Sequence, residues 1–228
     1  MLKFEDYKKK NENWHEEDAK YKSKIISQLI VKNNIKFESC IDIGCGTGKV
    51  IEYLSIKYQS VKFTGYDIHQ ELRHFWYNKK IGNLIFTNKY PVNLKEKYHL
   101  LLCLDVFEHV KDYYNFLNKI GSLSNSYIFN IPLDLCSFKA LGTGLKNARD
   151  SVGHIHYFNT YTALETLKDL GYEILDYKLN PGFLFGKKIN IYQKLIFIPR
   201  ILLYFISPRL SADLFGGFSL TVFAKKNV

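Results

Sequence analysis

The stretch IDIGCGTGKV, residues 41–50, places three glycines at alternate positions directly after an apolar run. Glycine loses more backbone freedom on folding than any other residue, so three so close together indicate a backbone that something approaches. A strand that leads through a glycine-rich turn into a helix offers free backbone N–H groups to a ligand. The segment therefore predicts a ligand-binding turn at the carboxyl end of a buried strand.

The spacing of these glycines argues against two common ligand classes. A nucleoside triphosphate loop needs Ser or Thr after Gly48-Lys49, where this chain has Val50. A dinucleotide loop needs a third glycine where Lys49 stands. A nucleoside with a small charged group remains, and an acidic residue at the end of the second strand should hold its ribose. Asp67, about twenty residues beyond the turn, is in that position.

Strand and helix patterns alternate along the rest of the chain. Helical periodicity is found at 14–32, after the glycine turn, through Leu72 to Trp76, at 113–120 and at 159–170. Strand patterns are found at 40–43, 61–68, 83–88, 98–106, 126–132, 172–179 and 218–226. This alternation predicts a mostly parallel sheet that is covered by helices on both sides.

Composition narrows the class of protein further. With 228 residues and 46% hydrophobic content, the chain suits one domain with a sizeable core. The charged first residues show no export signal, so we expect a cytoplasmic protein. The four cysteines lack paired spacing and are expected to be reduced thiols: Cys40, Cys45, Cys103 and Cys136. The net charge of +10 comes from lysines spread along the whole chain, which favours a solvated surface over a nucleic-acid face.

Several of these segments resemble one enzyme family. IDIGCGTG and YDI resemble the first two motifs of the class I, Rossmann-like S-adenosylmethionine-dependent methyltransferases. LLCLDVFEHV (101–110) and GHIHYFNTYTALETLKDLGYEIL (153–175) are similar to segments of the small-molecule branch that includes the ubiquinone-biosynthesis O-methyltransferases. The likeness covers roughly residues 38–180 and the last strand. It implies an α/β, Rossmann-like, seven-stranded, mostly parallel sheet with helices on both faces and an antiparallel last strand, in a single domain over 1–228.

The resemblance also implies a cofactor and its contacts. S-adenosylmethionine would be bound and S-adenosylhomocysteine released. Asp42 and the Gly44–Gly46 backbone would hold the methionine part, and Asp67 would bind both ribose hydroxyls. Asn88 stands where the family usually has an aspartate that accepts from the adenine amino group, and an amide oxygen can accept the same bond. The implied contact residues are Asp42, Gly44, Cys45, Gly46, Gly48, Asp67, Ile68 (against the adenine), Asn88, Leu104 and Asp105.

Three histidines are candidate catalytic residues. Transfer of a methyl group to a hydroxyl requires a base, and histidine suits neutral pH. His109 lies after the fourth strand, where it could equally pack under the cofactor, and His154 and His156 precede the sixth helix. Side chains alternate in an extended segment, so only one of the latter two should face the site, and His154 matches the family position.

A metal site and nucleic-acid acceptors are the less favoured alternatives. Asp105, Glu108 and His109 could bind a divalent cation, but carboxylates beside a site are more often electrostatic, so no metal is expected. DVFEHV follows the fourth strand instead of the Asn/Asp-Pro-Pro-aromatic tetrad of nucleic-acid amino methylation. The favoured acceptor is a hydroxyl of a small molecule or saccharide. The alternatives are an N- or RNA-directed methyltransferase and a non-catalytic cofactor-binding partner subunit.

Two terminal segments complete the domain. Residues from about 1 to 36 are expected to be helical, and an apolar insertion from about 181 to 217 precedes the last strand. The insertion has no run of about twenty apolar residues, so it should not span a membrane. Its apolar and basic residues fit a lid over the acceptor, which we favour. They also fit an interfacial segment (187–209) on anionic lipid at the inner membrane surface, or a helical pair that completes the core.

Overall fold

The structure is a computed structural model and describes residues 16–91, 97–184 and 191–226. Two parts of the terminal segments lie outside these ranges: the first fifteen residues, and Lys187 and Lys188 of the insertion.

A seven-stranded sheet with the order β3-β2-β1-β4-β5-β7-β6 forms the centre of the fold. Strands β1 to β5 pair in parallel, and β7 lies antiparallel between β5 and β6. The predicted fold class, with its antiparallel last strand, is confirmed. The strands are β1 Ser39–Ile43, β2 Lys62–Tyr66, β3 Leu84–Thr87, β4 Leu100–Leu104, β5 Ser126–Pro132, β6 Glu173–Asn180 and β7 Ser219–Lys225.

Helices connect these strands. They are α1 Glu16–Lys32, α2 Lys49–Lys57, α3 Arg73–Trp76, α4 Tyr113–Ile120, α5 Ser137–Ala140, α6 Gly144–Ser151, α7 Thr160–Asp169, α8 Ile191–Ile206 and α9 Pro208–Phe215. Helix α7 begins as its sequence predicts, because Asn159 and Thr162 each accept a hydrogen bond from the other's backbone N–H. Helices α5 and α6 had no sequence prediction, since α6 is largely exposed and buries only Ala148.

The apolar run of β4 explains why helices cover both faces of the sheet. Its side chains alternate, so that Leu101 and Cys103 join one buried cluster while Leu100 and Leu102 join the other. All four are buried, as is typical of the central strand of a parallel sheet. Burial of each leucine contributes about 1.5–3 kcal/mol, so β4 fixes the sheet and leaves the polar residues after Leu104 at its edge.

A chain of buried hydrogen bonds crosses the sheet from β6 to the end of β4. The Asn180 amide nitrogen donates to the Thr221 hydroxyl at 2.7 Å, and that hydroxyl donates to the Asn130 amide oxygen at 2.8 Å. The Asn130 amide nitrogen donates to the Asp105 carboxylate at 2.6 Å. Asn130, Thr221 and Asn180 are buried, so each hydrogen bond offsets the cost of removing a polar group from water.

The predicted insertion contains a pair of helices, α8 and α9. Arg200 of α8 is buried, its Nη2 donates to the Phe215 carbonyl at 3.1 Å, and its guanidinium lies 4.8 Å from the centroid of the Phe183 ring. The Ser211 hydroxyl donates to the Arg200 carbonyl at 2.9 Å. The opposite side of α8 is exposed. No helix in the described ranges is long and apolar enough to cross a bilayer.

Candidate active site

The carboxyl ends of β1, β2 and β4 meet at one edge of the sheet, and the glycine turn lies there. Gly44 N and Cys45 N both donate to the Tyr66 carbonyl of β2, at 2.8 and 3.0 Å. Gly44 has φ of 78°, and a Cβ there would lie 2.6 Å from Val106 Cγ2. Only glycine therefore lets the turn pack this closely against the segment after β4.

The outer part of the turn is open. Gly46 has φ of 56°, and a Cβ there would meet no atom of the described residues within 4 Å. Its carbonyl accepts a hydrogen bond from the Trp76 indole at 2.9 Å, which fixes the orientation of the peptide. Gly48 N donates to the Cys45 carbonyl at 2.8 Å and closes the turn before α2. The turn thus has a fixed backbone with free space above Gly46.

Asp67 at the end of β2 faces this turn, as predicted. Its Oδ2 accepts from Gly46 N and its Oδ1 from His69 N, both at 3.0 Å. A carboxylate oxygen has more than one acceptor site, so each oxygen retains capacity for a further donor such as a ribose hydroxyl. Asp67 is buried, and its hydrogen bonds to the glycine turn and to the loop after β2 fix the position of its carboxylate.

The two residues implied for adenine binding differ in how much of their side chain is available to contact a ligand. Ile68 is 72% exposed directly beyond Asp67, and its apolar surface suits a flat aromatic base. The Asn88 amide nitrogen donates to the carbonyls of Asp67 and His69, at 2.8 and 3.0 Å. Its amide oxygen, the implied acceptor from adenine, already accepts from Arg73 Nε. Asn88 therefore supports the loop after β2, and its contact with adenine stays a prediction.

Asp42 is buried in β1, and its Oδ1 has no hydrogen-bond partner among the described residues. Burial, and next the charge of Asp67, raise the pKa of its carboxyl to about 8. An orphaned buried carboxylate oxygen beside an open glycine turn suits a ligand that brings its own positive charge or donor. The residues present therefore fit a cationic nucleoside such as S-adenosylmethionine.

Asp105 joins the cleft to the N-terminal helix. It has a left-handed φ of 55° after Leu104, the half-buried last residue of β4. Lys22 of α1 forms an ion pair with its Oδ2 at 2.6 Å, and Asn130 holds its Oδ1. Sequence reasoning missed both partners, because neither residue belongs to a motif and they lie 83 and 25 positions from Asp105.

The turn after β4 carries Glu108 and His109 and is tied to the 153–156 segment. Ile155 N and His156 N both donate to the Glu108 carbonyl, at 2.9 and 3.1 Å. His109 Nδ1 donates to the Gly153 carbonyl at 3.1 Å, which leaves Nε2 as the unprotonated nitrogen of the neutral ring. Burial, and next the neighbouring His154, lower the pKa of His109 to about 4, so it is neutral at pH 7.

His154 is held by a carboxylate. Its Nδ1 donates to Asp134 Oδ2 at 2.5 Å, and Asp134 also pairs with Lys139. Burial raises the pKa of the Asp134 carboxyl, but the His154 hydrogen bond and the Lys139 ammonium outweigh it and bring that pKa well below its ordinary value. Asp134 is therefore ionised, and His154 presents Nε2 on its other side.

His156 faces away from His154, as the alternation predicts. Its Nε2 donates to the carbonyls of Val110 and Lys111, at 2.9 and 3.2 Å, and its ring packs against Tyr113. The structure thus brings His109 and His154 together, with ring centroids 4.8 Å apart, and leaves His156 outside the pair. Sequence reasoning missed Asp134, although its place two residues after β5 is a signal that could have found it.

Comparisons with known proteins agree with this geometry. Residues 14–177 match a family model described as "Methyltransferase domain". A tRNA (guanine-N(7)-)-methyltransferase of Mycoplasma capricolum subsp. capricolum is 30% identical over 91 residues, which is 35% of this chain and only 40% of the relative's length.

Solved structures share the fold at low sequence identity. A magnesium protoporphyrin IX methyltransferase from Synechocystis PCC 6803 with bound S-adenosylhomocysteine has a TM-score of 0.58 and 16% identity, over 100% of this chain and 89% of that one. A coclaurine N-methyltransferase with N-methylheliamine and S-adenosylhomocysteine has a TM-score of 0.62 and 12% identity, over 88% and 72%. Because the family model covers most of the chain, this protein belongs to the methyltransferase-domain family.

Proposed function

We propose that this enzyme transfers a methyl group to a hydroxyl of a small molecule or saccharide. The observation that carries the proposal is the Asp134–His154 pair beside the cofactor edge of the sheet. The ionised carboxylate holds the Nδ1 proton, so Nε2 can accept a proton from the acceptor, and the carboxylate stabilises the imidazolium that forms. A hydroxyl acceptor needs such a base, whereas a free amine depends less on a base.

The cofactor supplies a methyl group on a sulfonium, which is an excellent leaving group. We assign its methionine part to Asp42 and the Gly44–Gly46 backbone, and its ribose to Asp67. The open space above Gly46 and the unpartnered Asp42 oxygen support this assignment. The remaining proposed contacts are Cys45, Gly48, Ile68, Asn88, Leu104 and Asp105. These residues orient the cofactor and exclude water, which is most of what the displacement requires.

The proposal is tested by methyl incorporation across a panel of small hydroxylated metabolites and saccharides, with tRNA and amines included. Once an acceptor is known, His154→Ala should lower kcat about 10²–10⁴-fold with a smaller change in KM. Asp134→Asn should lower kcat less than His154→Ala does. His99→Asn is the matched control, since His99 is exposed at the opposite end of β4 and hydrogen-bonds Ser39. Exclusive labelling of tRNA or of amines would replace the hydroxyl proposal. Binding of S-adenosylmethionine without labelling of any acceptor would favour the non-catalytic cofactor-binding partner subunit, and no binding of S-adenosylmethionine would overturn the proposal.

The helical pair α8–α9 is proposed to act as a lid beside the acceptor. A Cβ on Gly216, directly after α9, would lie 2.7 Å from Cys136 Sγ. The segment that includes Cys136 leads from Asp134, which pairs with His154, to Lys139, which pairs with Asp134. The pair therefore lies close to the proposed base, where it could select the acceptor.

Membrane contact is a second role for the same pair. The exposed side of α8 carries an apolar stripe at helical spacing: Leu195, Ile198, Leu202, Phe205 and Ile206. Lys194 and Arg209 lie exposed at its two ends, which suits anionic headgroups. We propose a cytoplasmic enzyme that contacts the inner membrane surface through residues 187–209.

A further inference from the structure

Three metal-binding side chains converge beside the cofactor edge. Glu108 Oε1 lies 3.9 Å from His109 Nε2 and 4.0 Å from His154 Nε2. Their ligand atoms all lie within 4.8 Å of one another. Two residues come from the turn after β4 and the third from the segment before α7. The hydrogen bonds from Ile155 N and His156 N to the Glu108 carbonyl hold these segments together.

The hydrogen bonds of both imidazoles leave the converging nitrogens free to act as ligands. His109 donates its Nδ1 proton to a backbone carbonyl and His154 donates its own to a carboxylate. Metal-ligating histidines almost always make such a bond through the second nitrogen, which fixes the tautomer and raises the basicity of the other. The Nε2 atoms of both imidazoles therefore lie on the side of the Glu108 carboxylate.

The buried carboxylate of Glu108 indicates a cation independently of the imidazoles. Its side chain is fully buried, and neither carboxylate oxygen has a hydrogen-bond partner among the described residues. Two unpartnered oxygens at full burial carry a large desolvation cost. Nearby Lys22 offsets this cost only in part, because its ammonium forms its ion pair with Asp105. A cation between Glu108 and the two imidazoles would satisfy the carboxylate.

We propose that Glu108, His109 and His154 form a binding site for a divalent first-row transition-metal ion such as Zn²⁺ or Mn²⁺. Imidazole and carboxylate ligands together suit these ions. With bonds of about 2.0–2.2 Å to nitrogen and oxygen, a tetrahedral site separates two ligand atoms by about 3.3–3.6 Å, so the observed 3.9 and 4.0 Å would shorten by about half an ångström on binding. Three protein ligands leave coordination positions open for a further ligand.

This site differs from the cation site that the sequence suggested. That alternative grouped Asp105 with Glu108 and His109, but Asp105 is occupied by Lys22 and Asn130. His154, which lies 46 positions from Glu108 in the sequence, takes its place. The sequence-based expectation that no metal binds is revised by this proposal.

The ion would also change how the acceptor loses its proton. A hydroxyl that coordinated the ion would have a lowered pKa and would release its proton to water, so His154 would act as a ligand and not as the base. This consequence rests on the proposed function. The binding of the ion does not, and it can be measured without cofactor or acceptor.

Direct titration tests the site. Chain stripped with a chelator is titrated with Zn²⁺ and with Mn²⁺ by calorimetry, and Co²⁺ is added to record the visible absorption of a protein-bound ion. We expect one ion per chain for wild type. Glu108→Gln, His109→Ala and His154→Ala should each lower affinity at least about a hundredfold. Asp134→Asn, which loses only the support of His154, should lower it about 10–100-fold.

His156→Ala is the matched control for metal binding, because this histidine is in the same segment but faces Tyr113. It should retain wild-type affinity and the Co²⁺ spectrum. Thermal unfolding with and without Zn²⁺ separates ligand loss from misfolding: the ion should raise the Tm of wild type and of His156→Ala, and leave that of Glu108→Gln unchanged. Wild type that binds no ion at millimolar Zn²⁺ or Mn²⁺ overturns the proposal, as does equal affinity in all variants. Failure to find methyl transfer would leave a positive ion titration intact.

Discussion

Asp42 combines complete burial with an unpartnered carboxylate oxygen, and this combination makes the stability of the ligand-free protein depend on pH. The folded pKa of about 8 lies above the ordinary value of 3.8. Between these values the folded chain keeps a proton that the unfolded chain has released, so stability falls as pH rises. The slope is at most about 1.4 kcal/mol per pH unit and vanishes above pH 8.

The variant Asp42→Asn should remove this pH dependence, because an amide has the same shape and no charge. In urea titrations, we expect the free energy of unfolding of the variant minus that of wild type to increase steadily from pH 5 to pH 8. Asp67, Asp105 and Lys22, whose charges act on Asp42, are unchanged in the variant, so the difference isolates Asp42. Parallel pH profiles for the two proteins would show that Asp42 is ionised throughout.

Asp67 should account for much of the cofactor affinity. Hydrogen bonds to a charged group contribute about 1.5–3 kcal/mol, so loss of the ribose contacts in Asp67→Ala predicts about 10–150-fold weaker binding of S-adenosylhomocysteine by calorimetry. Asp67→Asn keeps one acceptor oxygen and should lose less. If both variants bind as tightly as wild type, the carboxylate serves only Gly46 and His69.

At the scale of the element, a glycine in the glycine turn can be compared with a similar glycine elsewhere, which distinguishes an effect on folding from an effect on ligand binding. Gly46 and Gly171 both have left-handed backbones, with φ of 56° and 79°, and neither has a neighbour that would clash with a Cβ. Alanine at either position should therefore cost about 1–2 kcal/mol of stability. Only Gly46→Ala adds a methyl group to the space proposed for the cofactor.

We expect Gly46→Ala to bind S-adenosylhomocysteine at least tenfold more weakly than Gly171→Ala, at similar urea midpoints for the two variants. Gly171 ends α7 far along the chain from the turn and provides the same backbone strain without the site. Equal binding by the two variants would mean that the cofactor does not approach the Gly46 backbone.

Elements with strong periodicity could be predicted from the sequence. The β4 run LLLCL is apolar throughout because both faces are covered, and it stands out for that reason. Helix α6 could not be predicted, because its packing depends on few side chains. In the candidate site, the glycine turn and Asp67 could be predicted from their spacing in the sequence. Lys22 and Asn130 reach Asp105 only through tertiary packing, which no local pattern encodes.

At the scale of the whole molecule, the net charge of +10 and the apolar side of α8 act together in the proposed membrane contact. Leu202→Glu with Phe205→Glu should abolish sedimentation with vesicles that contain anionic lipid, since both side chains are exposed. Urea stability should stay within about 0.5 kcal/mol of wild type. Wild-type binding should also weaken at high salt.

The matched control for vesicle binding is Ile56→Glu with Ile85→Glu, which changes the net charge equally at two exposed isoleucines away from α8. It should retain most of the vesicle binding. Loss of binding in both double variants would assign the attraction to net charge alone, and binding in neither wild type nor variants would end the membrane proposal.

The chain of buried hydrogen bonds from Asn180 through Thr221 and Asn130 to Asp105 implies an order in which the parts of the cleft form during synthesis. Its middle link comes from β7, which is translated after every other strand of the sheet. Until β7 inserts between β5 and β6, Asn130 lacks the hydroxyl that orients its amide toward Asp105. A nascent chain that does not yet contain β7 would therefore hold an incomplete cleft, and competence for the cofactor would arrive with that strand.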